Sequence, residues 1–231
     1  MNPNKALWEK GDFTRIAATM RESGEAFAKT LGITPGIKVL DVGCGDGTTA
    51  LPQAQLGADV LGVDIASNLV VAGRERARAA GLANIGFQEG DASKLSHLSD
   101  QSFDDPTLVA QILKISAAYS PPPPEGFISH VTWGVEADVA ERFTAAGVAA
   151  HNISCTRETY TFRCAYPPAS LLCDFRNFYG PTMNAFAAAE ANGRAADLHR
   201  ELEALFIAQN TSGDPETTSI PATFLRVTVT R

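Results

Sequence analysis

The sequence lacks most of the features that mark a special environment. No apolar run is long enough to cross a bilayer, so neither a membrane helix nor a membrane partner is expected. The opening stretch MNPNKALWEKGD has no basic-then-apolar leader pattern, so export by that route is not expected and the cytoplasm is the predicted compartment. Cysteine is scarce. The four residues, Cys44, Cys155, Cys164 and Cys173, form no C-x-x-C pair and have no histidine at zinc-ligand spacing beside them. They read as reduced thiols in or near packed segments, with no metal site. An excess of positive charge is also missing: the formal net charge is −7 and the basic residues are scattered. Binding driven by neutralising phosphates is therefore disfavoured, and no nucleic-acid partner is expected. The four histidines, His97, His130, His151 and His199, share no cluster, and no catalytic base can be named from them.

What remains is an ordinary globular composition, with 45% hydrophobic and 19% charged residues over 231 positions, enough for one α/β domain. Apolar residues Phe13, Ile16, Met20, Ala26, Phe27 and Leu31 recur at helical spacing and predict a helix over 12–31. IKVLDVG and DVLGVD read as buried strands, and NIGFQEGD as a third. Between them lie helical segments, TTALPQAQLG and then NLVVAGRERARAAG, the latter stopped by Gly81. Such β-α-β-α-β alternation predicts a parallel sheet with right-handed crossovers. Further on, helices are expected from Asp105 with Pro106 in its first turn, over 132–147, over 168–179, and over 182–209 with a bend near Gly193. ISCTRETYTFRC and ATFLRVTVTR read as strands, the second rich in β-branched residues. No internal repeat is present.

The chemistry concentrates in VLDVGCGDG, Val39 to Gly47, between a strand and a helix. Gly43 and Gly45 let the backbone turn sharply and approach a ligand closely. A dinucleotide fingerprint needs a third glycine where Thr48 stands, which weakens a nicotinamide oxidoreductase reading. Asp41 before the glycines and Asp46 within the turn suit a cation-bearing ligand better than a diphosphate. Asp64 ends the second strand, where a carboxylate accepts hydrogen bonds from ribose hydroxyls, and Asp91 follows the third strand, within reach of an adenine amino group. The set describes a site for an uncharged nucleoside with a positive tail. Capping the next helix is the plainer alternative for Asp64, and capping a loop for Asp91.

LDVGCGDG, GVDIA and QEGDA, in that order, resemble the glycine, ribose and adenine motifs of the class I S-adenosylmethionine-dependent methyltransferases, and WEKGDFTRIA is similar to the N-terminal lid of their small-molecule members. The resemblance spans residues 8–104. It implies a Rossmann-like α/β fold with helices on both faces, in a single domain over 1–231 with a cofactor-binding half at 1–104 and a C-terminal half at 105–231. The implied cofactor is S-adenosyl-L-methionine and the implied partner a small-molecule acceptor. By the same resemblance Asp41, Gly43 and Gly45 would face the methionine portion, Asp64 with Ile65 the ribose, and Asp91 with Ala92 the adenine. Trp8 and Phe13 would cover the site.

After Ser102, Phe103 and Asp104 the family continues into a fourth strand, a helix and a fifth strand after a PGG turn; here none of these is read and no PGG occurs. A loss of roughly forty residues, one strand–helix–strand unit, accounts for this. The expected consequence is a shortened sheet of order 3-2-1-7-6, with ATFLRVTVTR beside IKVLDVG so that no apolar edge is left bare. Acceptor-pocket candidates after the gap are Trp133, Tyr160, Phe162, Tyr166, Phe175, Phe178 and Tyr179, with Asp104 and Asp105 nearest the seam. A protein that holds the cofactor, or a partner, without turnover is the alternative function.

Overall fold

A computed structural model describes residues 3–91, 106–122 and 134–229. The chain starts with short helices α1 (Pro3–Trp8), α2 (Thr14–Ala18) and α3 (Arg21–Lys29). The single helix expected over 12–31 is broken between α2 and α3. The Thr19 carbonyl is taken by the backbone N–H of Arg163 at 2.8 Å, so it is withdrawn from the helical ladder.

The predicted alternation follows: β1 (Lys38–Val42), α4 (Ala50–Gln55), β2 (Asp59–Asp64), α5 (Ser67–Ala79) and β3 (Ile85–Glu89). Pro52 falls in the first turn of α4, where its missing N–H costs nothing. Gly81, at φ +68°, ends α5 as expected. The three strands are parallel in the order β1-β2-β3, with Val39 beside Val60 and Val60 beside Ile85. On that face Val39, Val60, Ile85 and Phe87 pack with Ala50, Leu51, Ala54, Val70 and Ala77 of α4 and α5.

The second half contains α6 (Leu108–Ala117), α7 (Glu136–Ala145), β4 (Ile153–Cys164), α8 (Pro168–Phe178), α9 (Gly180–Ala191), α10 (Ala195–Gln209) and β5 (Thr218–Val229). Helix α6 starts later than expected, with Thr107 rather than Asp105 at its N-cap; Asp105 lies outside the described residues. The bend expected near Gly193 is a full break between α9 and α10, with Gly193 at φ +67°. β4 and β5 form a long antiparallel ladder from Ile153↔Val229 to Cys164↔Thr218. Its inner face joins α6, α8, α9 and α10 around Phe162, Leu172, Phe175, Leu202, Phe206 and Ile220. Phe175 is central, meeting Phe162, Tyr179 and Phe206 edge-on at 5.6, 5.2 and 5.3 Å. Truncating such a residue to alanine costs about 3–5 kcal/mol.

Two expectations about the sheet need correction. The pairing of the last two strands is present, but the closure of order 3-2-1-7-6 is not. Among the described residues β5 pairs with β4, and β1 pairs with β2 alone, so there are two separate sheets. Helices on both faces were expected as well. Among the described residues α4 and α5 cover one face, while on the other Leu40, Val42 and Leu61 are 61%, 54% and 41% exposed. Both crossovers are of the same hand and lie on the same side, so neither helix reaches the second face.

The N-terminal helices tie the halves together. Ser23 exchanges hydrogen bonds with the backbone of Thr161 in β4, accepting from its N–H at 2.9 Å and donating to its carbonyl at 3.3 Å. On its other side α3 presses on the β1–α4 turn so closely that a Cβ on Gly24 would sit 2.4 Å from the Thr48 carbonyl oxygen. Trp8 and Phe13 both stack on Tyr179, at 5.9 Å.

Candidate functional site

The β1–α4 turn is built on left-handed glycines: Gly43, Gly45 and Gly47 have φ of +74°, +54° and +85°. A Cβ on Gly43 or Gly45 would meet nothing within 4 Å, so these two are required by backbone conformation and face open space. Gly47 differs: a Cβ there would lie 2.3 Å from Leu51 and 2.9 Å from Phe87, so it is required by packing as well. The sequence motif contained Gly47, but only the fold reveals its separate task.

The turn's N–H groups are largely committed. Gly43 and Cys44 both donate to the Val63 carbonyl, at 2.7 and 3.2 Å, and Gly47 donates to Cys44 O at 2.9 Å. Gly45 N–H donates to Asp64 Oδ2 at 2.8 Å. A diphosphate cradle needs N–H groups turned outward, and these are spent on β2 and on the turn itself. Asp64 is buried, and its Oδ1 accepts from Ala66 N–H at 2.8 Å. It therefore caps the start of α5, as in the plainer reading, and also braces the glycine turn. Each oxygen keeps a second lone pair for a hydroxyl donor.

Asp41 is half-buried at the end of β1 and accepts from the Thr49 hydroxyl at 2.6 Å. Burial, with the nearby Asp64 charge, raises its pKa despite that hydrogen bond. Asp46 does not contribute a free negative charge, contrary to the expectation for the turn. It is 1% exposed and paired with two guanidinium groups: Arg21, through both oxygens, and Arg76 at 3.5 Å. Arg76 also donates to the Asp46 carbonyl at 2.5 Å. Cys44, 4% exposed in the same turn, has its thiol pushed up to about 12 by burial and by Asp41 and Asp64.

At the far end, Ile65 directly follows β2, and exposed Asp91 lies just past β3; Ala92 lies outside the described residues. Lys5 of α1 reaches this edge, donating to the Ile65 carbonyl at 3.1 Å, to Glu89 at 2.8 Å and to Glu9 at 2.5 Å. Glu9 accepts from both the N–H and the hydroxyl of Ser67, at 3.1 and 2.6 Å, so an N-terminal residue supplies the anionic cap of α5. Neither residue carried a signal in the sequence.

In front of the glycines lies a cavity of about 290 Å³. Gly43, Cys44 and Gly45 form one side, and Phe13, Phe27, Tyr160 and Phe224 the other. Phe13 was expected at the site; Phe27 and Phe224 were not. Of the acceptor-wall candidates, Tyr160 alone among the described residues lines this cavity. Phe162, Phe175 and Tyr179 are core, and Tyr166 packs on the core with its hydroxyl donated to Asp174 at 2.7 Å. Phe178 lies under the Arg15 guanidinium at 5.2 Å, and Trp8 packs against the core cluster. Trp133, Asp104, Asp105, His97 and His130 lie outside the described residues.

A parallel sheet with a left-handed glycine turn and an aspartate ending the next strand is the arrangement of nucleoside-binding α/β domains. Residues 39–119, about a third of the chain, match the family model described as Methyltransferase domain. An uncharacterised protein of Mycobacterium tuberculosis is 35% identical over 102 residues, covering 44% of this chain and 36% of its own. The 23S rRNA (uracil(1939)-C(5))-methyltransferase RlmD of Shewanella is 38% identical over 92 residues, covering 39% of this chain and 20% of its own. The chain thus spans about a third or less of the length of these relatives. Another uncharacterised protein, from Mycobacterium bovis, is 26% identical over 220 residues, 79% of each chain. Among solved structures, the YcgJ protein of Bacillus matches with a TM-score of 0.43 at 17% identity, covering 91% of this chain and 98% of that one. No helix among the described residues is long and apolar enough to cross a membrane.

Proposed function

We propose that this protein is a cytoplasmic S-adenosylmethionine-dependent methyltransferase acting on a small-molecule acceptor. The observation that carries the reading is the Gly43–Gly45 turn: it faces open space, its N–H groups are spent inward, and carboxylates flank it. Such a turn suits a cationic, phosphate-free ligand. The residues present fit the cofactor. Asp41, Gly43 and Gly45 would face its methionine end, the remaining lone pairs of Asp64 would accept ribose hydroxyls beside Ile65, and Asp91 with Ala92 would meet the adenine. When bound, the cofactor would supply a methyl group activated on a sulfonium sulfur for transfer to the acceptor. The protein's part would be positioning: the turn and Asp64 would fix one partner, and the ring wall would hold the other. We read the chain as one domain whose halves are held in register by α1–α3.

Calorimetry with S-adenosylmethionine and its demethylated product tests the first step, and a labelled-methyl assay on phenols and quinones tests the second. Micromolar binding, weakened at least about tenfold by Asp64→Ala, is expected. The absence of binding to either compound overturns the reading. Binding without turnover on any acceptor favours a cofactor-holding protein, which the pairing of β1 with β2 alone among the described residues makes the second reading. The RlmD likeness makes rRNA an acceptor worth including in the same assay.

A further inference from the structure

The wall opposite the glycine turn has a composition that the cofactor motifs do not require. Phe27 of α3, Tyr160 of β4 and Phe224 of β5 come from three distant segments and meet there. Phe27 and Phe224 pack edge to face at 5.2 Å and 87°. Tyr160 leans on Phe224 at 5.9 Å and on Phe162 at 5.5 Å. These contacts fix the rings as a rigid apolar surface and not as loose core filler. Other polar groups along the cavity are engaged. Ser23 is bonded to the Thr161 backbone, Thr49 donates to Asp41, and Asp46 is neutralised by Arg21 and Arg76.

Tyr160 is the exception. The hydroxyls of Tyr119 and Tyr166 donate to Glu201 and Asp174, at 2.6 and 2.7 Å. The Tyr160 hydroxyl has no hydrogen-bond partner among the described residues, although burial pushes its pKa up to about 12. It therefore stays protonated at neutral pH. Tyr160 is partly buried and lines the cavity, so its hydroxyl is not sealed in the core and is a donor that a ligand there can meet. The cavity, about 290 Å³, is at the small end of ligand sites.

Resting on the methyltransferase reading, we propose that the acceptor is an uncharged aromatic compound bearing one hydroxyl or amine, with its ring against Phe27 and Phe224 and its polar atom hydrogen-bonded to the Tyr160 hydroxyl. A charged acceptor would lose its hydration against the rings with nothing to replace it.

The test uses the full chain and a ring-matched pair of probes, 2-naphthol and naphthalene, with binding followed by probe fluorescence. S-adenosylmethionine binding is measured in parallel by calorimetry. The wild type is expected to prefer 2-naphthol by about tenfold, the scale of one buried neutral hydrogen bond. Tyr160→Phe, which removes one atom and keeps the ring wall, should abolish that preference and leave cofactor affinity unchanged. Phe224→Ala should weaken both probes. Equal affinity of the wild type for the two probes, or a preference that survives Tyr160→Phe, overturns the proposal. Cofactor binding with no affinity for 2-naphthol overturns the acceptor class and spares the methyltransferase reading. Tyrosine-dependent naphthol binding without cofactor affinity sinks the methyltransferase reading and upholds the cavity's ligand chemistry.

Discussion

Arg21 and Asp46 form a buried two-pronged ion pair: one guanidinium nitrogen meets Oδ1 at 2.9 Å and the other meets Oδ2. Arg21 opens α3 and Asp46 sits inside the glycine turn, so this pair fastens the N-terminal helices to the site. Arg21 also bonds the Thr48 hydroxyl. The bidentate geometry is one that lysine cannot reproduce.

Breaking that pair is the first prediction. Arg21→Ala leaves a carboxylate that is 1% exposed with Arg76 as its remaining ion-pair partner. The expected loss is about 3 kcal/mol, the low end of the range for an orphaned buried charge because Arg76 remains. The midpoint of urea unfolding checks it. Arg21→Lys should recover part of the loss, and an unchanged midpoint for Arg21→Ala would refute the buried pair.

Gly45→Ala and Gly47→Ala should differ in kind. At Gly45 nothing crowds a Cβ, so the stability cost is the left-handed strain of about 1–2 kcal/mol, and cofactor affinity should fall disproportionately. At Gly47 the same strain adds to a clash with Leu51 and Phe87, with overpacking worth a further 1–3 kcal/mol, roughly. Thermal melts alongside calorimetry separate the two. Equal melting temperatures would contradict the packing argument for Gly47.

Two carboxylates should give pH dependences of opposite sign. Lys5 and Ser67 lower the Glu9 pKa from 4.5 to about 2. A lowered folded value means that its contribution is present above 4.5 and fades as pH falls through about 2. The melting temperature of Glu9→Gln should therefore lie below wild type at pH 7, with the gap closing toward pH 2. Asp41 is shifted the other way, raised by burial above its usual 3.8, so the fold favours its protonated form and its ionisation costs stability. Asp41→Asn should melt higher than wild type at pH 7, with the gain vanishing below pH 3.8, and should bind the cofactor less tightly. Carboxyl titration by NMR would detect either shift directly.

Thiol reactivity should divide the cysteines. Cys173 is exposed, whereas Cys44 is buried with its thiol pushed to about 12. The thiolate is the reactive form, so at pH 8 iodoacetamide should modify Cys173 and spare Cys44 until the protein unfolds. Peptide mapping after a timed reaction decides it. Early labelling of Cys44 would mean that the glycine turn opens readily.

Several features were legible because short contiguous patterns encode them. KVLDV, DVLGVD and IGFQE are apolar runs with turn residues at their ends, and they form the parallel strands almost to the residue. Gly81, Gly147 and Gly193 mark helix stops because left-handed backbone costs glycine least. Asp64 was legible as a helix cap, and its two oxygens serve two backbone donors. Asp46 was misread as a free charge, since a lone aspartate in a turn says nothing about guanidinium groups arriving from α3 and α5. The 12–31 helix was misread for a similar reason: its break depends on Arg163, far along the chain.

The sequence by itself determined the local conformations: which runs become strands, where the backbone turns left-handed, and where carboxylates stand at the strand ends. These depend on neighbours a few positions away, so composition and spacing encode them. Only the tertiary structure decided which faces are covered, which charges are neutralised and which rings face the glycine turn. Those outcomes depend on contacts such as Ser23 with Thr161, 138 positions apart. Pairings at that separation are set by packing of the whole chain, and no short stretch carries their signature.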